Sequence, residues 1–552
     1  MRVYEALAQA FAAEGVTTHF GLMGDGNMHW MTAMDALPGT RAVGVRHEHC
    51  ALLMAAGYWN ATGEPGVCSV THGPGFTQLM TGLATAARNN VPLVVMAGET
   101  GLGAAWNIQA IDQAPLARAC GAEYIAIHSL DVLHAKVREA FYVARTQAKP
   151  VVLGVPLDLQ KKQMPETAPY VPSLAFLPPA TPLPPDPEAI ADLADRLLSA
   201  RAPVLIAGRG ALLADAGPAI EALADETGAL LGTTLLGKGL FDHHPFSLGI
   251  VGGYAREAAR PASEAADLVI AFGAQLSRFT LDGGKMFPAA KSVQVDLAPN
   301  ALKEGLVAAD HMVRADARRA AEALRDAVRK APERRPAAIR TADLAEALRN
   351  APADSFPFDV PEGRVDPRRF FEALEAAMPP DYHLVSGSAH QAYWHTAMRG
   401  SPAGTYHAIR AFGAIGNALS FATGVAVARG DGKVVLSEGD GGLLMHIQEF
   451  ETLVRENIKL LVICINDGAF GAEVHKLRAE GMDAAGAVFG APDLASVARA
   501  FGLGAATITH TDQVADLMDA FARSDRAWLW DVRVSDRQQS PKMRAELAGK
   551  HG

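Results

Sequence analysis

Residues 434–471, VVLSEGDGGLLMHIQEFETLVRENIKLLVICINDGAFG, constrain this chain more than any other stretch. An apolar run at 434–436 leads into Gly439-Asp440-Gly441-Gly442, and an amphipathic segment then runs to about Glu456. A second apolar run at 460–465 is closed by Asn466-Asp467-Gly468. Period and length predict strand, glycine turn, helix, strand: one βαβ unit. Such a crossover makes the two strands parallel neighbours, so Asp440 and Asn466 emerge together at the carboxyl edge of the sheet. That edge is where open α/β sheets bind ligands. The glycines let the backbone approach a bound group, and the helix they open points N–H groups at an anion. A carboxylate beside an amide oxygen suits a hard cation able to bridge to a diphosphate.

Gly-Asp-Gly alone is an ordinary turn signal. Asn466, 26 positions after Asp440 and directly behind a buried strand, makes the pair specific. Together they resemble the motif of thiamine diphosphate (ThDP) enzymes. By that resemblance Asp440, Asn466 and the carbonyl of Gly468 ligate Mg²⁺. By the same resemblance Gly439, Gly441, Gly442, Phe470 and Gly471 would contact the cofactor.

At 552 residues the chain has room for three or four domains, and 49% hydrophobic residues supply several cores. A formal charge of −10 without a Lys/Arg block argues against a nucleic-acid partner. Cys50, Cys68, Cys120 and Cys464 lie in or beside apolar segments and form no CxxC pair. They read as small buried hydrophobes of a reducing compartment. The opening MRVYEALAQAFAAEG predicts an amphipathic helix and lacks the basic start of a secretory signal. No run reaches the roughly 18 apolar residues that span a bilayer. The expectation is a soluble, cytoplasmic protein with no membrane partner.

The first third alternates helix and strand signals, with strands at 42–45, 67–70, 93–97 and 151–155. This predicts an α/β domain over residues 1–164 with a mostly parallel sheet. Residues 165–187 are proline-rich and aperiodic, hence an extended linker. Residues 188–330 form a middle α/β domain with strands at 204–207, 268–272 and 292–295. Gly208-Arg209-Gly210 and Asp296 stand at its strand ends and faintly suggest a nucleotide fold, but GRG is a poor glycine fingerprint and reads as structural. A second connector covers 331–364, and the last domain 365–552. An internal echo supports three doubly wound α/β domains with the outer two related. A shift of 367 positions places Gly75 on Gly442, Arg88 on Arg455 and Asn90 on Asn457, and superposes the apolar strands that follow. Gly73 then stands where Asp440 does, so only the second copy keeps the metal pair. In ThDP enzymes the two are a pyrimidine-binding and a diphosphate-binding domain.

The resemblance covers essentially the whole chain and is to the acetolactate synthase, benzaldehyde lyase and 2-oxo-acid decarboxylase group. Arg46-His47-Glu48-His49 resembles the segment bearing that family's glutamate, and Thr71-His72-Gly73-Pro74-Gly75-Phe76-Thr77 matches its TxGPGxT downstream. By resemblance, Glu48 hydrogen-bonds the pyrimidine and promotes the imino tautomer that removes the thiazolium C2 proton; the cofactor supplies the ylid and the electron sink. Residues 411–416 (AFGAIG) resemble the segment under the bent cofactor, with Ile415 as wedge and the Gly413 carbonyl as acceptor. His390-Gln391 resembles a diphosphate-contacting segment, although Ser386-Gly387-Ser388 before it departs from the usual acidic-glycine form. In the family Glu48 and the metal site meet across a subunit interface, implying at least a homodimer and commonly a homotetramer.

Substrate-facing candidates follow from the same likeness. Asp25, in Gly24-Asp25-Gly26-Asn27, resembles a proton-transferring Asp of pyruvate-decarboxylase-type enzymes, but their paired histidines are missing from residues 104–113. Residues 107–113 (NIQAIDQ) look like the glutamine-bearing loop of benzaldehyde lyase and acetolactate synthase, with Gln113 the candidate. His72 stands where relatives carry a small residue and could act as acid or base. His29, His47, His49 and His475 are further candidates. Residues 467–475 (DGAFGAEVH) depart from the substrate-binding run of true acetolactate synthases, which argues against that branched-chain enzyme and against a structural FAD. The expected activity is Mg²⁺/ThDP-dependent cleavage or formation of a carbon–carbon bond next to a carbonyl, on a 2-oxo acid, aldehyde or acyloin. Decarboxylase, acyloin lyase or carboligase, acetolactate synthase-type transferase and acyl-CoA decarboxylase all remain open. So do an NAD- or FAD-linked oxidoreductase and a non-catalytic ThDP-fold protein.

Overall fold

Eighteen strands fall into three six-stranded sheets in the computed structural model, which describes all residues except 166–167, 299–304, 333–335, 389 and 549–552. Every strand pairing among the described residues is parallel. In the first sheet the order is Arg41–Gly44, Thr18–Gly21, Gly66–Val70, Leu93–Glu99, Pro150–Pro156, Glu123–Ala126. Numbered along the chain, that is 2-1-3-4-6-5. The third sheet repeats it as Tyr406–Ala408, His383–Ser386, Val434–Gly439, Leu461–Asn466, Trp528–Arg533, Gly504–Ile508. Its central strands are buried along nearly their whole length, as expected where helices cover both faces of a parallel sheet.

The echo at 367 positions has a physical cause. The helices Met80–Arg88 and Glu449–Arg455 each run on to an asparagine, Asn90 or Asn457, held at φ 51°. Asparagine tolerates this left-handed turn better than most residues. The amide after each then closes the same bond back over the helix end, Val91 N–H to Ala86 O at 3.0 Å and Ile458 N–H to Leu453 O at 2.9 Å.

The middle sheet instead has the order 3-2-1-4-5-6, the arrangement of dinucleotide-binding folds. Its Gly208 turn, however, is packed against protein backbone: a Cβ at Gly208 would lie 2.3 Å from Gly273 O. Arg209 turns toward the first domain, donating to Asn89 O at 2.9 Å and stacking 4.9 Å from the Trp59 ring. GRG is thus spent on domain docking.

The proline-rich segment is tethered as well as extended. The buried Glu14 carboxylate accepts from Ser173 N–H at 2.7 Å, the Ser173 hydroxyl at 2.7 Å and the Tyr170 hydroxyl at 2.5 Å. The second connector holds a helix, Ala342–Asn350, where only a proline-bearing link is expected from sequence. One apolar core runs unbroken from the first domain into the last, through Leu53 and Phe76 to Phe421 and Phe450. Among the described residues no helix is long and apolar enough to cross a membrane.

Candidate functional site

The strands Val434–Gly439 and Leu461–Asn466 lie side by side, with Gly439 opposite Ile465, so Asp440 and Asn466 leave the sheet together. Asp440 opens the short helix Asp440–Met445. Beside it is a cavity of about 450 Å³, walled by the glycine turn from Gly439 to Gly442 and by Gly413, Ile415, His390 and Gln391. Phe470 and Gly471 complete that wall. The Phe470 ring lies over the turn, where a Cβ on Gly441 would come within 2.7 Å of it.

Hydrogen bonds fix the polar atoms at the edge. Asp440 accepts from Gly441 N–H at 2.9 Å and from Gly468 N–H at 2.7 Å. Asn466 donates its amide N–H₂ to Asp531 at 2.8 Å and to Pro492 O at 3.3 Å. That leaves the buried Asn466 Oδ1 with no partner. A buried acceptor without a donor is costly, so its presence in a folded site points to a ligand. The Gly468 carbonyl accepts from Phe489 N–H at 3.0 Å, with one lone pair remaining. Burial lifts the Asp440 carboxyl above its ordinary range, and burial with the neighbouring Asp440 charge lifts Asp467. A cation set between them would reverse that penalty.

Two groups of this cavity were not singled out from sequence. Glu438 is buried with both carboxylate oxygens unpartnered, and burial pushes its pKa up to about 8. Its carboxyl sits between Gly387 and Gly442, where added Cβ atoms would approach it to 2.6 and 2.5 Å. An acid ending a buried apolar strand was the available signal. Gln538, also buried, has both amide atoms unpartnered in the cavity wall. Its segment is held by Ser540 N–H donating to His390 Nε2 at 3.0 Å. His475 is buried with Nε2 free, its ring 5.0 Å from that of His390.

The first-domain candidates gather elsewhere. Glu48 opens the helix Glu48–Thr62, which His47 caps through His49 N–H at 3.1 Å. Its carboxylate faces Gly75, 3.2 Å from the place of an added Cβ. Gly73, at φ 64°, packs under the loop, since a Cβ there would meet Gln109 O at 2.1 Å. The turn bearing the exposed Asp25 joins the group through Gly26 N–H to Thr71 Oγ1 at 3.0 Å. His72 is buried and pairs with Asn107 at 3.3 Å. Gln113 points inward, 4% exposed, its amide spent on Gly73 N–H (3.1 Å), Gly98 O (3.0 Å) and Tyr124 OH (3.2 Å). It begins the helix Gln113–Ala119 and faces the core, so the frame occupies it. Gln109, whose Oε1 has no partner, is the glutamine of this loop left with a free group. His29 packs on Tyr4, and the buried His49 bonds Asn417 at 2.9 Å.

Within one chain these two sets stay apart. Every residue lining the cavity lies between Pro367 and Gln538, and Glu48 is not among them.

Known proteins carry the same three-part organisation. Residues 1–116 match the N-terminal TPP binding domain of the thiamine pyrophosphate enzymes, 190–324 their central domain and 387–532 their C-terminal TPP binding domain. An acetolactate synthase large subunit of Parasynechococcus marenigrum is 29% identical over 549 residues, covering 96% of this chain and 87% of that protein. The acetolactate synthase isozyme 2 large subunit of Escherichia coli is 28% identical, covering 96% of this chain and 95% of its own. A probable 2-ketoarginine decarboxylase of Pseudomonas aeruginosa is 30% identical, covering 94% and 92%. With both TPP-binding domains and the central domain in one polypeptide, this chain belongs to the thiamine pyrophosphate (thiamine diphosphate) enzymes.

Proposed function

We propose that this enzyme breaks or forms a carbon–carbon bond next to a carbonyl, by 2-oxo acid decarboxylation, acyloin-type carboligation or both. The coenzyme, when bound, supplies a nucleophilic carbon and an electron sink. The observation that carries the reading is the orphaned Asn466 oxygen beside the Asp440 carboxylate at the carboxyl edge of the sheet. An all-oxygen set of carboxylate, amide and the remaining lone pair of the Gly468 carbonyl fits Mg²⁺ in kind. The glycine turn would bring backbone N–H groups to the diphosphate, with His390 and Gln391 beside it. Gly413 and Ile415 would set the conformation of the rings. The relatives' names, a 2-ketoarginine decarboxylase and acetolactate synthases, support a small 2-oxo acid, aldehyde or acyloin as substrate.

Glu48 would hold and return a proton at the pyrimidine, and a second chain would bring it there, because its own cavity contains no first-domain residue. Trp106 and Ile108, 78% and 83% exposed on the loop beside Gly73, are apolar surface that a partner would cover. A homodimer is the smallest complete unit, and a homotetramer two such units. The reading includes a cytoplasmic location and needs no flavin in the central domain.

The test is to strip coenzyme and divalent ion, restore each separately and together, and screen 2-oxo acids and acyloins for CO₂ or aldehyde release. Turnover that requires both additions is expected. Turnover in the stripped enzyme would overturn the reading.

A further inference from the structure

At the seam between the first and last domains is a second group of ligating side chains that the proposed chemistry does not use. His47, Cys50 and His446 each present one ligand atom, and these atoms all lie within 4.8 Å of one another. Two come from the first turn of the helix Glu48–Thr62 and its cap, and the third from the residue that ends the helix Asp440–Met445. The trio therefore brings together two domains that are distant in sequence.

We propose that His47, Cys50 and His446 form a binding site for a borderline-soft divalent transition metal, with Zn²⁺ the ion of best chemical fit. Imidazole and thiolate donors select such ions, whereas the oxygen set at Asp440 and Asn466 suits a hard one. Tetrahedral Zn²⁺ bonds of about 2.0–2.3 Å place neighbouring ligand atoms roughly 3.3–3.8 Å apart, so the trio needs to close by about 1 Å. His446 keeps one ring nitrogen for a ligand. Its Nδ1 donates to Gly416 O at 3.0 Å, which leaves the lone pair of Nε2 free, and its ring stacks on that of His49 at 4.9 Å. A metal-bound histidine held by its other nitrogen on a carbonyl is the usual supporting arrangement.

His47 gives up something to bind. Its Nδ1 accepts from His49 N–H, so a metal taking that nitrogen displaces the cap. Cys50 is buried against the Glu449 carboxylate, and burial with that charge raises its thiol. Coordination exchanges the thiol proton for the metal and releases it to solvent, so affinity rises with pH. Glu449, itself held by Thr452 Oγ1 at 2.6 Å and Arg46 N–H at 3.0 Å, supplies negative charge beside the site. Solvent completes the fourth position. Occupancy would fasten the helix that begins at Glu48 to the last domain.

Cobalt(II), which stands in for zinc and is coloured, gives a direct test on full-length protein cleared of metal by chelation. One equivalent per chain should produce a thiolate-to-cobalt charge-transfer band, which Zn²⁺ abolishes and excess Mg²⁺ leaves intact. Cys50→Ala should lose the band, while Cys120→Ala, altered at a partly exposed thiol, should keep it. His446→Asn should weaken Zn²⁺ by at least about tenfold. Circular dichroism and melting of the metal-free variants establish that they fold. Absence of the band in the wild type, its survival in Cys50→Ala, or unaltered Zn²⁺ affinity in folded His446→Asn would each overturn the proposal. These readouts do not depend on turnover, so they stand apart from the test of the proposed reaction.

Discussion

Gly57 and Gly424 stand 367 positions apart, the spacing of the internal echo, and each is pressed against the other's helix. A Cβ on Gly57 would lie 2.0 Å from Phe421 O, and one on Gly424 would lie 1.9 Å from Met54 O. The helices Glu48–Thr62 and Ala418–Arg429 therefore cross backbone to backbone at corresponding positions of two similar domains. Helix propensity alone favours Gly424→Ala by about 1 kcal/mol. The obstructing atom is a backbone carbonyl that cannot rotate away, so overpacking wins, and a net loss of about 2 kcal/mol or more is expected. Denaturant midpoints of Gly424→Ala against wild type measure it; a stabilised variant would contradict this packing.

Asp531 orients Asn466. It holds the amide N–H₂ at 2.8 Å, which leaves the buried Oδ1 without a partner, and is itself fixed by Leu494 N–H at 3.2 Å. Asp531→Ala frees the amide to rotate and should weaken Mg²⁺ by roughly 10–100-fold, as loss of such supporting partners does. Trp394 lines the cavity, so tryptophan fluorescence can follow Mg²⁺-dependent coenzyme binding. Equal Mg²⁺ affinity in a folded variant would remove the orienting role.

Glu48→Gln should bind coenzyme yet lose roughly 10²–10⁴-fold in turnover, the usual weight of a proton-handling group. Asp440→Ala should fail at coenzyme binding instead. Refolding the two inactive variants together tests the cross-chain arrangement, because a mixed dimer has one intact site made of Glu48 from one chain and Asp440 from the other. Activity should return on mixing. Persistent inactivity of verified mixed dimers would place the complete site within a single chain.

A half-buried relay predicts the response to acid. Arg429 donates to His383 Nε2 at 2.5 Å, His383 Nδ1–H then donates to His407 Nε2 at 2.7 Å, and His407 Nδ1–H to Asn60 Oδ1 at 2.5 Å. The fixed donor at one end sets both tautomers, and an added proton leaves two donors facing. Burial and the Arg429 charge hold His383 down to about 4 against the opposing Asp431 charge, and burial with His383 and Arg429 holds His407 down to about 3. Both native values lie below the unfolded 6.5, so the unfolded chain binds more protons and stability falls as pH drops from 6.5 toward 4. Urea midpoints across that range should show the slope, and His407→Asn should lessen it. A flat profile would mean the relay is protonated or open.

The site was legible only where chemistry and chain order coincide. Asp440 and Asn466 could be paired because a βαβ crossover forces neighbouring strands to share an edge. Spacing identifies the loop of Gln113 but not which of its two glutamines faces inward. Gln113 has its hydrogen bonds filled by Gly73, Gly98 and Tyr124, while Gln109 keeps a free oxygen. Glu438 and Gln538 escaped notice since an acid on a buried strand and an amide near the C-terminus carry no periodic signal. The helix Ala342–Asn350 was hidden among prolines and short of one full domain's pattern.

Periodicity, glycine placement and turn chemistry are local, and they alone determined three α/β units, the kinship of the outer two and the placing of Asp440 and Asn466 at one sheet edge. The different strand order of the middle sheet, the glycine-to-glycine crossing and the gathering of His47, Cys50 and His446 were decided by tertiary structure alone. Each depends on which surfaces meet after the elements form. That is a matter of shape and burial between residues hundreds of positions apart, to which no local pattern responds.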